Sequence, residues 1–245
     1  MALPVLYGIG YSPWTYKARW ALSLCGIAYQ YRDILPMVGQ IPLRLKVRQR
    51  SGTVTLPLMN HEGQWYRSSV EIAEFAESAA HGISLGLDQD RVLEVNRIAD
   101  DILELGRIRI SHAVANDPQL QTASLPSYLR WLPGARSVAR LGVRYMLKTY
   151  PVETDEAALL EATEAKLSEL EKRLAGKAYF FDHPSFADLA VAASLQMVNP
   201  VPAGIVPLDE PLHRAWRLES LAEKFSALCE WRDQTMRSLN APLLG

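Results

Sequence analysis

The sequence predicts a mixed α/β domain followed by an all-helical domain. Strand and helix patterns alternate over the first 80 residues in the order β-α-β-α-β-β-α. A Gly-rich stretch at 81–87 without helical periodicity follows, and almost every apolar pattern after it has the helical period. These observations place the first domain at residues 1–82 and the second at 88–240.

The elements of the first domain follow from their apolar patterns and from the turn residues between them. The predicted strands are 3–8, 28–33, 56–60 and 64–66, and the predicted helices are 16–26, 41–50 (a short basic helix or turn) and 69–79. Gly26 closes the first helix, and His61-Glu62-Gly63 joins the last two strands as a hairpin.

The second domain is predicted to contain five helices. They cover 90–116, 135–150, 155–175, 185–197 and about 213–239, and 117–133 with its three prolines is predicted as a loop region. The strongly apolar pattern of 185–197 is typical of a central buried helix.

Composition excludes several classes of protein. The chain has 245 residues, 49% hydrophobic and 22% charged, with a net charge of −1, so no overall field favours nucleic acid or an acidic membrane. Two cysteines are too few for a disulfide framework or a metal site. The first ten residues lack a signal-peptide pattern, and no apolar run approaches the roughly 18 residues of a membrane span. We therefore expect a cytoplasmic protein without a metal, a nucleic-acid partner or a membrane span.

The most informative segment is Ser12-Pro13-Trp14-Thr15, which opens the first helix. Ser12 lies at the cap and Pro13 in the first turn, where its missing N–H costs nothing. The N-terminus of a helix stabilises an anion, and a hydroxyl there can donate a hydrogen bond to a thiolate. A plain helix cap is the alternative interpretation.

Two further segments suggest a binding groove. Thr55-Leu56-Pro57 precedes an apolar strand, and a cis Pro57 would leave the N–H and C=O of Leu56 free to pair with an extended peptide. Ser68 or Ser69 would cap the third helix, whose first N–H groups could hold a carboxylate. An ordinary trans proline and a structural cap are the alternatives.

These three elements, in this order, resemble the glutathione transferase superfamily, whose first domain has the thioredoxin or glutaredoxin fold. Ser12-Pro13-Trp14-Thr15 falls where glutaredoxins carry Cys-Pro-x-Cys and where serine-type transferases carry their catalytic Ser. Residues 51–57 look like the family's Thr-Val-Pro turn, and Ser68-Ser69 occupies the place of its acidic-Ser pair. Pro184-Ser185-Phe186-Ala187-Asp188 matches the Ser-x-x-Asp capping box of the family's buried helix.

The resemblance implies a glutathione transferase that activates the glutathione thiolate for attack on a hydrophobic electrophile. In this mechanism Ser12 is a hydrogen-bond donor and not a nucleophile. It further implies that glutathione, the co-substrate, contacts Trp14, Leu56, Pro57, Ser68 and Ser69, and that the protein is a homodimer with a role in detoxification. A specialised glutathione-dependent lyase, such as a β-etherase or a dehalogenase, and a non-catalytic binding or scaffold protein remain alternatives.

Two departures from the family's pattern matter. Ser12 and Thr15 replace both cysteines of the glutaredoxin motif, which excludes dithiol chemistry at this site. Ser68 replaces the acid that neutralises the glutathione ammonium. In this family an acid from the partner's fourth helix can reach that place, and the candidates by position are Asp100, Asp101 and Glu104.

Several basic residues have open roles. Arg44, Lys46 and Arg48 fall where family members often hold the glycine carboxylate of glutathione, and the sequence does not select one of them. The helix 135–150 has a basic residue at every fourth position. This stripe indicates either a membrane-surface helix, an interpretation that the preceding Trp131 and Leu132 support, or an ordinary solvated helix. The stripe consists of Arg136, Arg140, Arg144 and Lys148.

Overall fold

The computed structural model describes residues 2–34, 39–49, 52, 54–80, 82–125, 130, 133–149, 155–202 and 204–243. The N-terminal part forms a four-stranded mixed sheet with the order β2-β1-β3-β4. The strands are β1 (Val5–Gly8), β2 (Gln30–Asp33), β3 (Leu58–His61) and β4 (Gln64–Tyr66). β2 runs parallel to β1, and β3 and β4 are antiparallel to their neighbours.

Three helices cover the two faces of this sheet, and the predicted element order is confirmed. They are α1 (Pro13–Leu24), α2 (Gln40–Lys46) and α3 (Ser69–Ala79). Successive strand residues point to opposite faces, so Leu6 packs with α1 and α3 whereas Tyr7 packs with Leu43 of α2. The two central strands, β1 and β3, are therefore covered on both faces, whereas β2 and β4 at the sides of the sheet are more exposed.

The second part is helical, as predicted. Its helices are α4 (Asp90–Asn116), α5 (Pro118–Ala123), α6 (Ala135–Thr149), α7 (Glu156–Leu174), α8 (Phe186–Ser194), α9 (Glu210–Trp216), α10 (Glu219–Lys224) and α11 (Ser226–Ser238). Every residue of α8 is buried, and one 3-10 turn, Leu195–Met197, continues it. None of the helices in the described ranges is long and apolar enough to cross a membrane.

The capping box of α8 is confirmed. Asp188 accepts hydrogen bonds from the backbone N–H and the hydroxyl of Ser185, each at 2.8 Å, and from the Phe180 N–H at 2.9 Å. All of these groups are buried. The motif therefore serves the fold, because it satisfies the polar groups at the start of the central helix.

Two predictions for the helical part were wrong. The region 117–133 contains a helix, α5, because Asp117 accepts from the N–H of Gln119 and Pro118 fits the first helical turn. The last predicted helix, 213–239, consists of parts of α9, α10 and α11. Arg217 is extended between the first two, and the N–H of the next residue, Leu218, donates to the carbonyl of Val198 at 2.8 Å.

Candidate functional site

Strand register brings the three sequence motifs to one edge of the sheet. Tyr7 of β1 pairs with Leu58 of β3, and Met59 pairs with Tyr66 of β4. One residue further along, the end of β1, the start of β3 and the end of β4 reach the same edge. The first turn of α1, the Leu56–Pro57 turn and the first turn of α3 therefore lie at the same end of the sheet, which is the arrangement that the predicted groove requires.

Ser12 is the N-cap residue of α1, but its hydroxyl makes no capping hydrogen bond. Its backbone is extended, its N–H donates to the carbonyl of Ile9 at 3.0 Å, and its own carbonyl accepts from the N–H of Tyr16 at 2.8 Å. The side chain is half-buried, and the first turn of α1 carries no acidic residue. The backbone alone thus forms the cap, and the hydroxyl is left available at a helix N-terminus that favours an anion.

Thr15 has a structural role. It is fully buried, and its Oγ1 accepts from the N–H of Ile9 at 3.2 Å. It also packs on Gly8 so closely that a Cβ at Gly8 would lie 2.4 Å from its Cγ2. Thr15 therefore holds the turn between β1 and α1 and does not compete with Ser12 for a ligand.

Two residues beside Ser12 were missed by the sequence reasoning. Asp33, at the end of β2, accepts from the Gly10 N–H at 2.9 Å and from the Tyr31 hydroxyl at 3.1 Å, and it thereby fixes the turn that carries Ser12. Burial, and to a smaller extent the charge of Asp33, raise the pKa of Tyr11. Tyr11 therefore keeps its proton at neutral pH, and it is the residue that directly precedes Ser12. The sequence signal for Tyr11 was its position directly before Ser12 in the motif.

The Leu56–Pro57 peptide bond is cis, as predicted. Among the described residues, neither the N–H nor the C=O of Leu56 is paired with another backbone group. Thr55 Oγ1 donates to the carbonyl of Arg67 at 3.3 Å and ties this turn to the approach of α3. Ser51 and Thr53, which belong to the same motif, lie outside the described residues.

The first turn of α3 has backbone N–H groups without an intrahelical acceptor, and a carboxylate lies close to them. Ser68 is the N-cap, and its hydroxyl accepts from the Glu71 N–H at 3.1 Å. Ser69 is buried at the first helical position, and its N–H and that of Val70 have no intrahelical acceptor. The Glu71 side chain returns to the same turn, where its Oε2 accepts from the Arg67 N–H at 2.7 Å. This helix start offers donors for a carboxylate and one negative charge close to them.

Helices of the second part form an apolar wall beside Ser12. Trp14 is half-buried and packs on a cluster that includes Leu103 of α4 and Trp216 of α9. The Arg107 guanidinium lies 5.9 Å from the centre of the Trp14 ring. Trp216 meets the Tyr11 ring edge-on, with ring centres 6.2 Å apart. An apolar molecule at this wall would lie against the start of α1.

A cavity of about 250 Å³ lies between α2 and the ends of β1 and β2. Its lining consists of Tyr7, Arg32, Asp33, Ile34, Pro42, Leu43 and Lys46. Lys46 Nζ donates to the Tyr7 hydroxyl at 3.2 Å. Of the three basic residues singled out in the sequence, Lys46 is thus the one that borders a cavity, and the cavity shares Asp33 with the Ser12 turn.

The three acids considered for the partner's site all have ion pairs within their own chain. Asp100 pairs with Lys17 at 2.7 Å and Asp101 with Lys166 at 2.7 Å, while Glu104 pairs with Arg107. Each acid is therefore already neutralised by a cation on the same chain.

Neither cysteine has the character of a reactive thiol. Burial, with a smaller contribution from Glu77, raises the pKa of Cys25 to about 11, and burial also raises the pKa of Cys229. Both are free and buried. Within the described ranges, no group of three or more His, Cys, Asp or Glu side chains is arranged to hold a metal ion.

The fold and the site together define a thioredoxin-type domain with a cis-proline turn at the end of its sheet, joined to a helical domain. Two family models agree with this class. The model described as "Glutathione S-transferase, N-terminal domain" matches residues 11–79, and the one described as "Glutathione S-transferase, C-terminal domain" matches residues 153–234. The chain belongs to the glutathione S-transferase superfamily.

Solved structures of this family share the fold. The β-etherase LigF from Sphingobium sp. strain SYK-6 has 17% identity and a TM-score of 0.64, with 97% of this chain and 98% of that chain covered. A possible glutathione S-transferase from Rhodopseudomonas palustris has 18% identity and a TM-score of 0.59 (99% and 98% covered). The transferase CsGST63524 of Ceriporiopsis subvermispora, in complex with glutathione, has 16% identity and a TM-score of 0.57 (98% and 97% covered). A search among curated proteins finds no match.

Proposed function

We propose that this protein is a glutathione transferase of the serine type. The observation that carries the proposal is the Ser12 hydroxyl, which lies at a helix N-terminus, is not used as a cap, and is at the same end of the sheet as the cis-Pro57 turn. In this proposal residues 1–82 bind glutathione, and residues 88–240 supply the wall for a hydrophobic electrophile.

Glutathione would lie along the sheet edge as an added extended strand. Leu56 would pair with the cysteinyl backbone, and the N–H groups of Ser69 and Val70 would hold the γ-glutamyl carboxylate. Pro57 keeps the turn, Ser68 caps the helix, and Trp14 flanks the thiol from the side of the helical domain. Lys46 would hold the glycine carboxylate from the cavity beside α2.

The chemistry needs only a deprotonated thiol held against its target. The glutathione thiol loses its proton to water, and the Ser12 hydroxyl donates a hydrogen bond to the resulting thiolate. Because this bond stabilises the charged form, the pKa of the thiol falls. The sulfur electron pair then forms a carbon–sulfur bond with the electrophile, and the leaving group departs with the electrons of the broken bond. The protein contributes the lowered pKa and the proximity of the two reactants.

The proposal also includes a cytoplasmic localisation and a homodimeric assembly. Two free, protonated thiols fit a reducing compartment. A glutathione-dependent lyase would use the same groove, and the β-etherase among the structural neighbours makes this the second candidate. A detoxifying transferase and a lyase differ in the electrophile, which is bound by the wall around Trp14 and Trp216.

The proposal is tested with Ser12→Ala. We expect kcat/KM with 1-chloro-2,4-dinitrobenzene to fall about ten- to a hundredfold, since a hydrogen bond to a charged group contributes roughly 1.5–3 kcal/mol. The pKa of bound glutathione, followed by thiolate absorbance, should rise while the glutathione Kd changes much less. Ser23→Ala, an exposed serine in the last turn of α1, is the matched control.

The outcomes separate the alternatives. Loss of activity in Tyr11→Phe but not in Ser12→Ala would assign the thiolate to the neighbouring hydroxyl. Glutathione binding without turnover on aryl halides, alkyl halides or aryl ethers would identify a binding protein. Turnover on the ethers alone would identify a lyase.

A further inference from the structure

Residues 118–152 carry charge of one sign only. This segment contains five basic residues and no Asp or Glu, in a chain whose net charge is −1. It also lies outside both family-model matches. Surfaces of soluble domains usually mix both signs, and a field of one sign attracts ligands or surfaces of the other. The segment is therefore a candidate contact for a negatively charged partner.

Helix α6 arranges three of these charges along one side. Arg140, Arg144 and Lys148 are spaced by four residues, so they follow one another on the helix surface, and all three are exposed. In the part of the chain that the structure describes, no ion pair joins any of them to a carboxylate. Their charges are available to an external anion.

The same helix exposes apolar side chains next to the basic stripe. Val138 and Leu141 are 38% and 55% exposed, and they are not needed to anchor the helix. The opposite side provides the anchor, because Ala139 is buried and Val143 packs on the cluster formed by α4, α5 and α9. The outer face of α6 is thus basic and apolar at once.

We propose that this outer face binds the surface of an anionic lipid bilayer. A helix lying in the interface uses basic side chains for the headgroups and apolar ones for the acyl boundary, which is the combination found here. A nucleic acid would use the basic stripe but would leave Val138 and Leu141 exposed to water. Trp131 and Leu132, which precede the helix in the sequence, lie outside the described residues.

Vesicle cosedimentation tests the proposal on the full chain. We expect binding to phosphatidylcholine vesicles that contain phosphatidylglycerol, little binding to pure phosphatidylcholine, and weaker binding at high salt. Removal of three charges in R140Q/R144Q/K148Q should weaken binding on the order of a hundredfold. The matched control K172Q/K177Q/R237Q removes three exposed charges elsewhere and should bind like the wild type.

The apolar contribution has its own control. V138S/L141S should weaken vesicle binding, whereas Leu45→Ser, which alters a side chain 76% exposed on α2, should not. Circular dichroism shows whether each variant remains folded.

Three results would overturn the proposal: wild-type protein left in the supernatant, equal binding to neutral vesicles, or an equal loss of binding in the charge control. So would retention on heparin without vesicle binding, which would indicate a nucleic-acid or other polyanion site. Glutathione affinity is measured separately, so failure here leaves the transferase proposal intact.

Discussion

At the scale of single residues, the central question is which group neutralises the ammonium of glutathione. Ser68 cannot do so, and its hydroxyl is occupied by the N–H of Glu71. Glu71 itself has a carboxylate at the same helix start, where Oε2 accepts from the Arg67 N–H and Oε1 remains for a ligand. We propose that Glu71 takes the place of the acid that the family carries at position 68.

Glu71→Gln tests this assignment. The amide keeps an acceptor for the Arg67 N–H and removes only the charge, so we expect glutathione to bind about fivefold more weakly, on the order of 1 kcal/mol for a partly exposed pair. Calorimetry should show no such loss for N-acetylglutathione, which lacks the ammonium. Glu74→Gln, an exposed acid on the same helix, is the control.

A second substitution should rescue the glutathione affinity of Glu71→Gln. Ser68→Asp in the Glu71→Gln background should restore the affinity, because Asp both caps a helix and supplies the missing carboxylate at the family's position. An equal loss of affinity for N-acetylglutathione would show that the γ-glutamyl end does not lie at the start of α3.

The sequence identified the residues whose role depends on a local motif. Ser12, Leu56-Pro57 and Ser68-Ser69 could be selected because a helix cap or a proline turn is visible within a few residues. Asp33 could not, because its contact with the Gly10 N–H depends on the pairing of two strands. The intrachain pairs of Asp100 and Asp101 likewise depend on packing between helices.

At the scale of elements, the same distinction explains which boundaries were predicted. The range of α4 agrees with its prediction because a long periodic pattern determines it. The pattern of 213–239 is also periodic, since α9, α10 and α11 all have an apolar side buried in the core. The break at Leu218 comes from a hydrogen bond to Val198, which no local pattern shows. Tertiary contact, not propensity, divides this region.

Helix α2 carries a prediction of its own, because we place Lys46 at the glycine end of glutathione. Lys46→Gln should weaken glutathione binding about fivefold, as expected for a partly exposed charge pair. It should leave the affinity for γ-glutamylcysteine unchanged, because that ligand has no glycine carboxylate. Arg44→Gln is the control on the same helix, and an equal effect on both ligands would place the glycine end elsewhere.

At the scale of the whole molecule, one buried cation joins the two domains. Lys17 of α1 is fully buried, and its Nζ donates to Asn96 and Asp100 of α4, both at 2.7 Å. Asn96 also donates to Asp100 at 3.0 Å, and the ammonium lies 5.6 Å from the centre of the Phe186 ring. Burial lowers the pKa of Lys17, and Asp100 opposes that shift. A buried charge with these partners holds α1, the helix that begins at Ser12, against α4 and α8.

Lys17→Met should therefore destabilise the whole chain. Removal of one partner of a buried pair typically costs 3–5 kcal/mol, and we expect about 3 kcal/mol because the Asp100 side chain, 33% exposed, recovers some hydration. Urea unfolding measures the change.

The control is Lys166→Met, which breaks an exposed ion pair between α7 and α4. Its partner, Asp101, is next to Asp100 on α4, and the loss should cost less than about 1 kcal/mol. In a double-mutant cycle, Asp100→Asn should cost much less in the Lys17→Met background than in the wild type. Equal costs for Lys17→Met and Lys166→Met would show that apolar packing of α1 on α8, and not the buried charge, holds the domains together.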